Sequence, residues 1–221
     1  MRTYAEKNWG DCSNAVAYSL NFTQMCYSPN NVSRDEYYSV VCDICQRDKQ
    51  NKDFEYRKSD FSKKDYFILD HYCYGVSKEL KAHMIEFGLN ENNFRPIYTR
   101  NRDVILGYQI VSNNILSETF DVNGKYEFSE CKACHHKCYE IYDELNATEA
   151  YNGLGYPVFL TKEAYKQLQH INCLYEDNDD ILISCELYNF LIEKYPRLEC
   201  RPVFIGSVYE DSEYLRLSNN K

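Results

Sequence analysis

Four of the eleven cysteines stand in two pairs of the same form, Cys42-Asp43-Ile44-Cys45 and Cys131-Lys132-Ala133-Cys134. Two thiols separated by two residues can turn inward together on one tight knuckle, and two knuckles supply the four thiolates that tetrahedral zinc prefers. A four-thiolate site is closed, so the ion would be structural and its binding would add directly to folding. His135, His136 and Cys138 follow the second pair, and any of them could take the place of a knuckle cysteine. A redox Cys-x-x-Cys opens a helix in a βαβ unit, and neither pair sits in such a pattern. Cys131 to His135 has the form of a haem attachment, but that chemistry needs export and leaves Cys42 and Cys45 without a role. Cys12, Cys26, Cys73, Cys173, Cys185 and Cys200 read as small buried hydrophobes.

Catalytic patterns are missing from the sequence. It contains no His-Glu-x-x-His, no deaminase pair of His-x-Glu with Pro-Cys-x-x-Cys, no phosphate loop and no Gly-x-Ser-x-Gly. His71, His83 and His170 stand alone and read as surface or satisfied histidines. The expectation is a protein that is not an enzyme.

The elements that must position the knuckles are short. The first forty residues show no clear period and read as irregular, apart from a strand piece at 37–41. Residues 47–64 are charged and polar and read as an exposed loop or edge. Residues 65–70 read as a short buried strand. Ser77 can cap a helix bearing Leu80, Met84, Ile85 and Phe87, which Gly88 is placed to end. Residues 95–99 and 104–111 read as a hairpin. A helix is expected after Thr161 with Ala164, Tyr165, Leu168 and Ile171 on one face. Another follows Ser184, with Leu187, Phe190 and Leu191 inward and Pro196 beyond its end. Strands over 202–209 and 213–217 close the chain.

Two of these stretches resemble each other. Residues 76–86, Val-Ser-Lys-Glu-Leu-Lys-Ala-His-Met-Ile-Glu, match 183–193, Ile-Ser-Cys-Glu-Leu-Tyr-Asn-Phe-Leu-Ile-Glu. Each leads into an Arg-Pro strand, at Arg95-Pro96 and Arg201-Pro202. The serines lie 107 apart (77 to 184) and the arginines 106 apart (95 to 201), so one gap aligns them. Each stretch also follows a Cys-x-x-Cys. Duplication is the simplest account. The expected fold is α+β: two related halves, each a helix packed on short antiparallel strands, joined by a zinc-knuckle pair. The halves divide as 1–130, with the first knuckle, and 131–221, with the second, or intertwine as one domain.

The chain of 221 residues carries a formal charge of −9. That sign repels phosphate backbones, so nucleic acid is not the expected partner, whereas a basic protein would be drawn to it. The 22 tyrosines suit a contact surface. No apolar run is long enough to span a membrane, and the first residues lack the apolar core of a signal peptide, so a cytoplasmic protein is expected.

The two widely spaced Cys-x-x-Cys pairs, set in duplicated Ser-capped-helix and Arg-Pro-strand halves over about 40–217, resemble the double-CXXCG-motif immunity family of bacterial polymorphic toxin systems. Gln46 and His135 stand where that family has glycine. The resemblance implies a non-catalytic protein that binds and neutralises a cognate toxin, basic if it is a nuclease. Contact residues are then expected in the acidic C-terminal half, at Glu176, Asp177, Asp179 and Asp180 and at Tyr209, Glu210, Asp211 and Tyr214. The alternative is a zinc-ribbon nucleic-acid-binding or regulatory module, using the local bases at 57–64.

Overall fold

The computed structural model describes residues 2–24, 26, 40–42, 48–49, 52–61, 63–69, 73–112, 114, 116, 126–133, 137–141, 158–160, 162–173 and 181–206. It is a mixed α+β fold with two five-stranded sheets and four helices among those residues. Two compact units draw on discontinuous stretches. One comprises 1–21, 113–129 and 138–221; the other comprises 22–112 and 130–137. The boundary at residue 130 is therefore crossed in both directions: the N-terminal segment groups with the C-terminal stretch, and the second knuckle groups with 22–112.

Within residues 2–24 the chain is not irregular throughout, as its lack of period suggested. Helix α1 (Tyr4–Trp9) is followed by strand β1 (Ala17–Leu20). The helix is too short to show a period, and its signal is the capping box. Glu6 N donates to Thr3 Oγ1 at 3.2 Å, and Thr3 N donates to the Glu6 carboxylate at 2.7 Å. All four residues of β1 are buried, so it shows no apolar–polar alternation.

Within the second unit, β2 (Val40–Val41) and β3 (Asp48–Lys49) form a two-stranded ribbon. Next come β4 (Glu55–Tyr56), β5 (Tyr66–Ile68), β6 (Tyr74–Val76), helix α2 (Lys78–Phe87), β7 (Phe94–Thr99) and β8 (Ile105–Ile110). Their sheet runs β4-β7-β8-β6-β5, with β4 parallel to β7 and every other neighbour antiparallel. Within the charged stretch 47–64, Glu55–Tyr56 is an edge strand of this sheet, but Phe54 and Tyr56 are buried. Ser77 caps α2 by accepting from Leu80 N at 3.0 Å, and Gly88 ends it at φ 120°, a region open to glycine. The core is aromatic: Phe54, Tyr56 and Phe67 with Ile97, Leu69 and Cys26.

A second ribbon pairs β9 (Tyr126–Glu130) with β10 (Lys137–Ile141). The first unit then adds β11 (Val158–Leu160), α3 (Lys162–Lys166), β12 (Ile171–Cys173), β13 (Ile181–Ser184), α4 (Cys185–Lys194) and β14 (Cys200–Ile205). Its sheet runs β11-β14-β1-β13-β12, again with one parallel pair, β11 with β14. Ser184 caps α4 by accepting from Leu187 N at 3.2 Å. Helix α3 stops at Lys166 instead of running to Ile171, because Ile171 is buried in the sheet opposite Ile183. Sheet pairing overrides the helical spacing, and Tyr165 is left 41% exposed. One core cluster here is aliphatic, Ala17, Val158, Leu160, Leu182 and Val203 with Leu116 and Ala164, while Tyr18 and Tyr188, both buried in the same unit, stack with ring centroids 3.5 Å apart. Among the described residues no helix is long and apolar enough to cross a membrane.

Candidate metal centre

The first cysteine of each pair directly follows a strand of a two-stranded ribbon. Strand β2 ends at Val41 and β3 begins at Asp48, leaving six residues, 42–47; β9 ends at Glu130 and β10 begins at Lys137, leaving six residues, 131–136. A six-residue link forces β9 and β10 to run antiparallel, since a parallel crossover needs a dozen or more. In sequence the cysteines are the first and fourth of the six residues between the strands of each ribbon. The strands beside the second knuckle were not expected from the sequence, where the alternation in Tyr126-Glu-Phe-Ser-Glu is the signal for the first of them.

The two first-position cysteines meet within the second unit. Cys42 Sγ and Cys131 Sγ stand 3.7 Å apart, and both residues are 7% exposed. They are not disulfide-bonded; a disulfide would bring the sulfurs to about 2.05 Å. Zinc–sulfur bonds of about 2.3 Å in a tetrahedron place neighbouring sulfurs about 3.8 Å apart. The observed separation thus matches the edge of a zinc–thiolate tetrahedron, and these two residues fit the ion. Cys45, Cys134, His135 and His136 lie outside the described residues, and Cys138 lies in β10. Among the described residues, no group of three or more His, Cys, Asp or Glu side chains is arranged to hold a metal.

The remaining cysteines have a different chemistry. Burial pushes the Cys12 thiol up to about 12, with Glu6 and Asp11 adding to the shift, and the Cys185 thiol up to about 11, with Glu186 adding. Cys200 is fully buried and is raised well above its ordinary value by the same cause. All three are protonated at neutral pH and are poor nucleophiles. Ser184 Oγ lies 3.0 Å from His170 Nδ1, but that oxygen also receives the Leu187 N–H of the cap. The expected contact residues Glu176, Asp177, Asp179, Asp180, Tyr209, Glu210, Asp211 and Tyr214 all lie outside the described residues.

No protein-family model, no curated protein and no solved structure matches this chain.

Proposed function

We propose that the chain is a non-catalytic binding protein of the immunity type, which captures and neutralises a cognate bacterial toxin in the cytoplasm. In this reading Cys42, Cys45, Cys131 and Cys134 hold one structural zinc, and the knuckle pair joins two related α+β halves. The 3.7 Å approach of Cys42 Sγ to Cys131 Sγ carries the proposal. It supports the double knuckle on which the resemblance to the immunity family rests. When bound, zinc would supply cross-linking between two loops that lie 89 residues apart in sequence, which stabilises the fold without adding a reactive position.

The net charge of −9 favours a basic toxin, with the acidic residues at 176–180 and 210–211 as its first contacts. The same charge weighs against the zinc-ribbon nucleic-acid reading.

Two measurements test the proposal. Elemental analysis of reduced, purified protein should find one zinc per chain, falling to a trace in Cys42→Ser. Co-expression with the protein encoded immediately upstream should restore growth that this neighbour alone arrests. Metal-free reduced protein would remove the zinc site. A harmless neighbour, or one the chain does not counter, would remove the immunity reading and leave the zinc site standing.

A further inference from the structure

The centre strands of the two sheets occupy equivalent registers. In the first unit Tyr18 faces Pro202 and Ser19 faces Arg201; in the second Tyr108 faces Pro96 and Gln109 faces Arg95. On the other side, Tyr18 faces Ile183 and Tyr108 faces Val76. Just past each centre strand the same backbone bond recurs: Asn21 N donates to Glu199 O at 2.9 Å, and Val111 N donates to Asn93 O at 2.9 Å. Each chain segment then leaves for the outer strand of the other sheet. Cys26 N donates to Ile68 O at 2.7 Å, and Ile68 N donates to Gln24 O at 2.7 Å. Correspondingly, Leu116 N donates to Cys173 O at 3.3 Å, and Cys173 N donates to Asn114 O at 2.8 Å.

These matches share one offset. Ala17 corresponds to Gly107, Tyr18 to Tyr108, Gln24 to Asn114 and Cys26 to Leu116, each 90 residues on (18 to 108, 26 to 116), and the knuckle cysteines follow at 89. Beyond the knuckles the offset lengthens to 105 at the outer strands (68 to 173) and 107 at the capping serines. The correspondence is thus collinear from β1 to β7 against β8 to β14. A single strand moved from one terminus to the other would not carry the returning segment and the knuckle along with it.

We infer that the chain is a tandem duplication whose two copies exchange their first strands. The interaction surface of each copy is the slot between the strand that leads into its helix and its Arg-Pro strand. The partner it takes is the first strand of the other copy, a segment of the form small, Tyr, polar, aliphatic: Ala17-Tyr18-Ser19-Leu20 fills the slot between β13 and β14, and Gly107-Tyr108-Gln109-Ile110 fills the slot between β6 and β7. The peptide link between the copies, in the turn after Thr99, is then dispensable for holding them together.

The test uses the full chain with a protease site inserted after Asn101. After cleavage the two pieces, β1–β7 and β8–β14, should elute together at the size of the uncut chain with an unchanged circular dichroism spectrum, and separate only in denaturant. Ser19→Cys with Leu182→Cys should trap the two pieces as one band on a non-reducing gel. Tyr18→Cys with Val76→Cys, which would pair if the first strand stayed in its own copy, should form no mutual disulfide. Should the insertion itself disturb folding, peptide mapping of the same disulfides in the chain without it gives the same answer. Two results would overturn the exchange: pieces that part in native buffer, or a disulfide between positions 18 and 76 in the second double variant with none between positions 19 and 182 in the first.

Discussion

The two sheets have one strand order and two different interiors. In the second unit, Phe67 on the outer strand faces Gly75 across β5 and β6; at the equivalent pair in the first unit, Asn172 faces Leu182. Bulk sits on the outer strand in one sheet and on the inner strand in the other. At the centre strand Gly107 lies close to Phe61, whereas its counterpart Ala17 belongs to the aliphatic cluster. Asn172 replaces a packed ring with two hydrogen bonds, accepting from Gln169 N and donating from its Nδ2 to Gln167 O. Register and caps therefore define the topology, while the filling of each core is settled pair by pair.

The sharpest way to break the comparison is to add volume where the aromatic sheet has none to spare. A Cβ on Gly75 would come within 2.2 Å of the Phe67 ring. Gly75→Ala is expected to cost about 2–3 kcal/mol, read as a lowered urea midpoint with unchanged slope. Adding Phe67→Leu should recover part of that loss. Gly107→Ala places its Cβ 2.9 Å from the Val76 carbonyl, which is backbone and yields less readily, yet the overlap is smaller. It should cost about 1–2 kcal/mol. If Gly75→Ala were neutral, or Phe67→Leu gave no rescue, the pairwise trade would be wrong.

The sequence displayed these caps and hid these cores, for physical reasons. The helices after Ser77 and Ser184 were legible because a capping oxygen acts locally, and Gly88 and Pro196 mark their ends. Helix α1 was equally encoded by Thr3 and Glu6, but six residues give no period to detect. Strand β1, Ala-Tyr-Ser-Leu, is buried along its whole length with Ser19 included, so neither an alternation nor a continuous apolar run marks it in the sequence. Ile171 sits at helical spacing from Leu168, and only its partner Ile183, farther along the chain, makes it a strand. The knuckle pair was legible as a pattern of types and spacing. That Cys42 would meet Cys131 depends on chain paths that no local signal encodes.

A milder test compares what supports the two caps. The Ser77 hydroxyl donates to Asp65 Oδ1 at 3.1 Å, and Ser77 N donates to Asp65 O at 2.7 Å. Ser184 Oγ meets His170 Nδ1 at 3.0 Å, and Ser184 N donates to His170 O at 3.3 Å. Different side chains thus fill one structural role. Ser77→Ala and Ser184→Ala should each cost about 1 kcal/mol. Hydrogen exchange should localise the loss to the first turn of α2 in one variant and of α4 in the other. A cost confined to one of the two would show that the caps are not equivalent.

The smallest expected effect concerns the sheet edges. Beside β4 the edge is tied by charge: Asp53 pairs with Arg95 at 2.8 Å and with Arg102 at 2.6 Å, while Arg102 also reaches Glu55 at 3.1 Å and lies 4.5 Å over the Tyr98 ring. Beside β11, Leu160 and Ala164 are fully buried. Partial burial pushes the Asp53 carboxyl up, but hydrogen bonds from Arg95 and Arg102 outweigh it and hold the group below its ordinary 3.8. Because the folded value is the lower one, the pairing contributes fully above pH 3.8 and is lost as pH falls through the folded value. Asp53→Asn should therefore lower stability at neutral pH by under about 1 kcal/mol, a figure limited by solvent screening around a partly exposed group. The gap between variant and parent in urea midpoint should close progressively below pH 3.8. A gap that persists unchanged into acid would mean that the ionised charge of Asp53 is not what ties this edge, and the charge contrast between the two edges would fall.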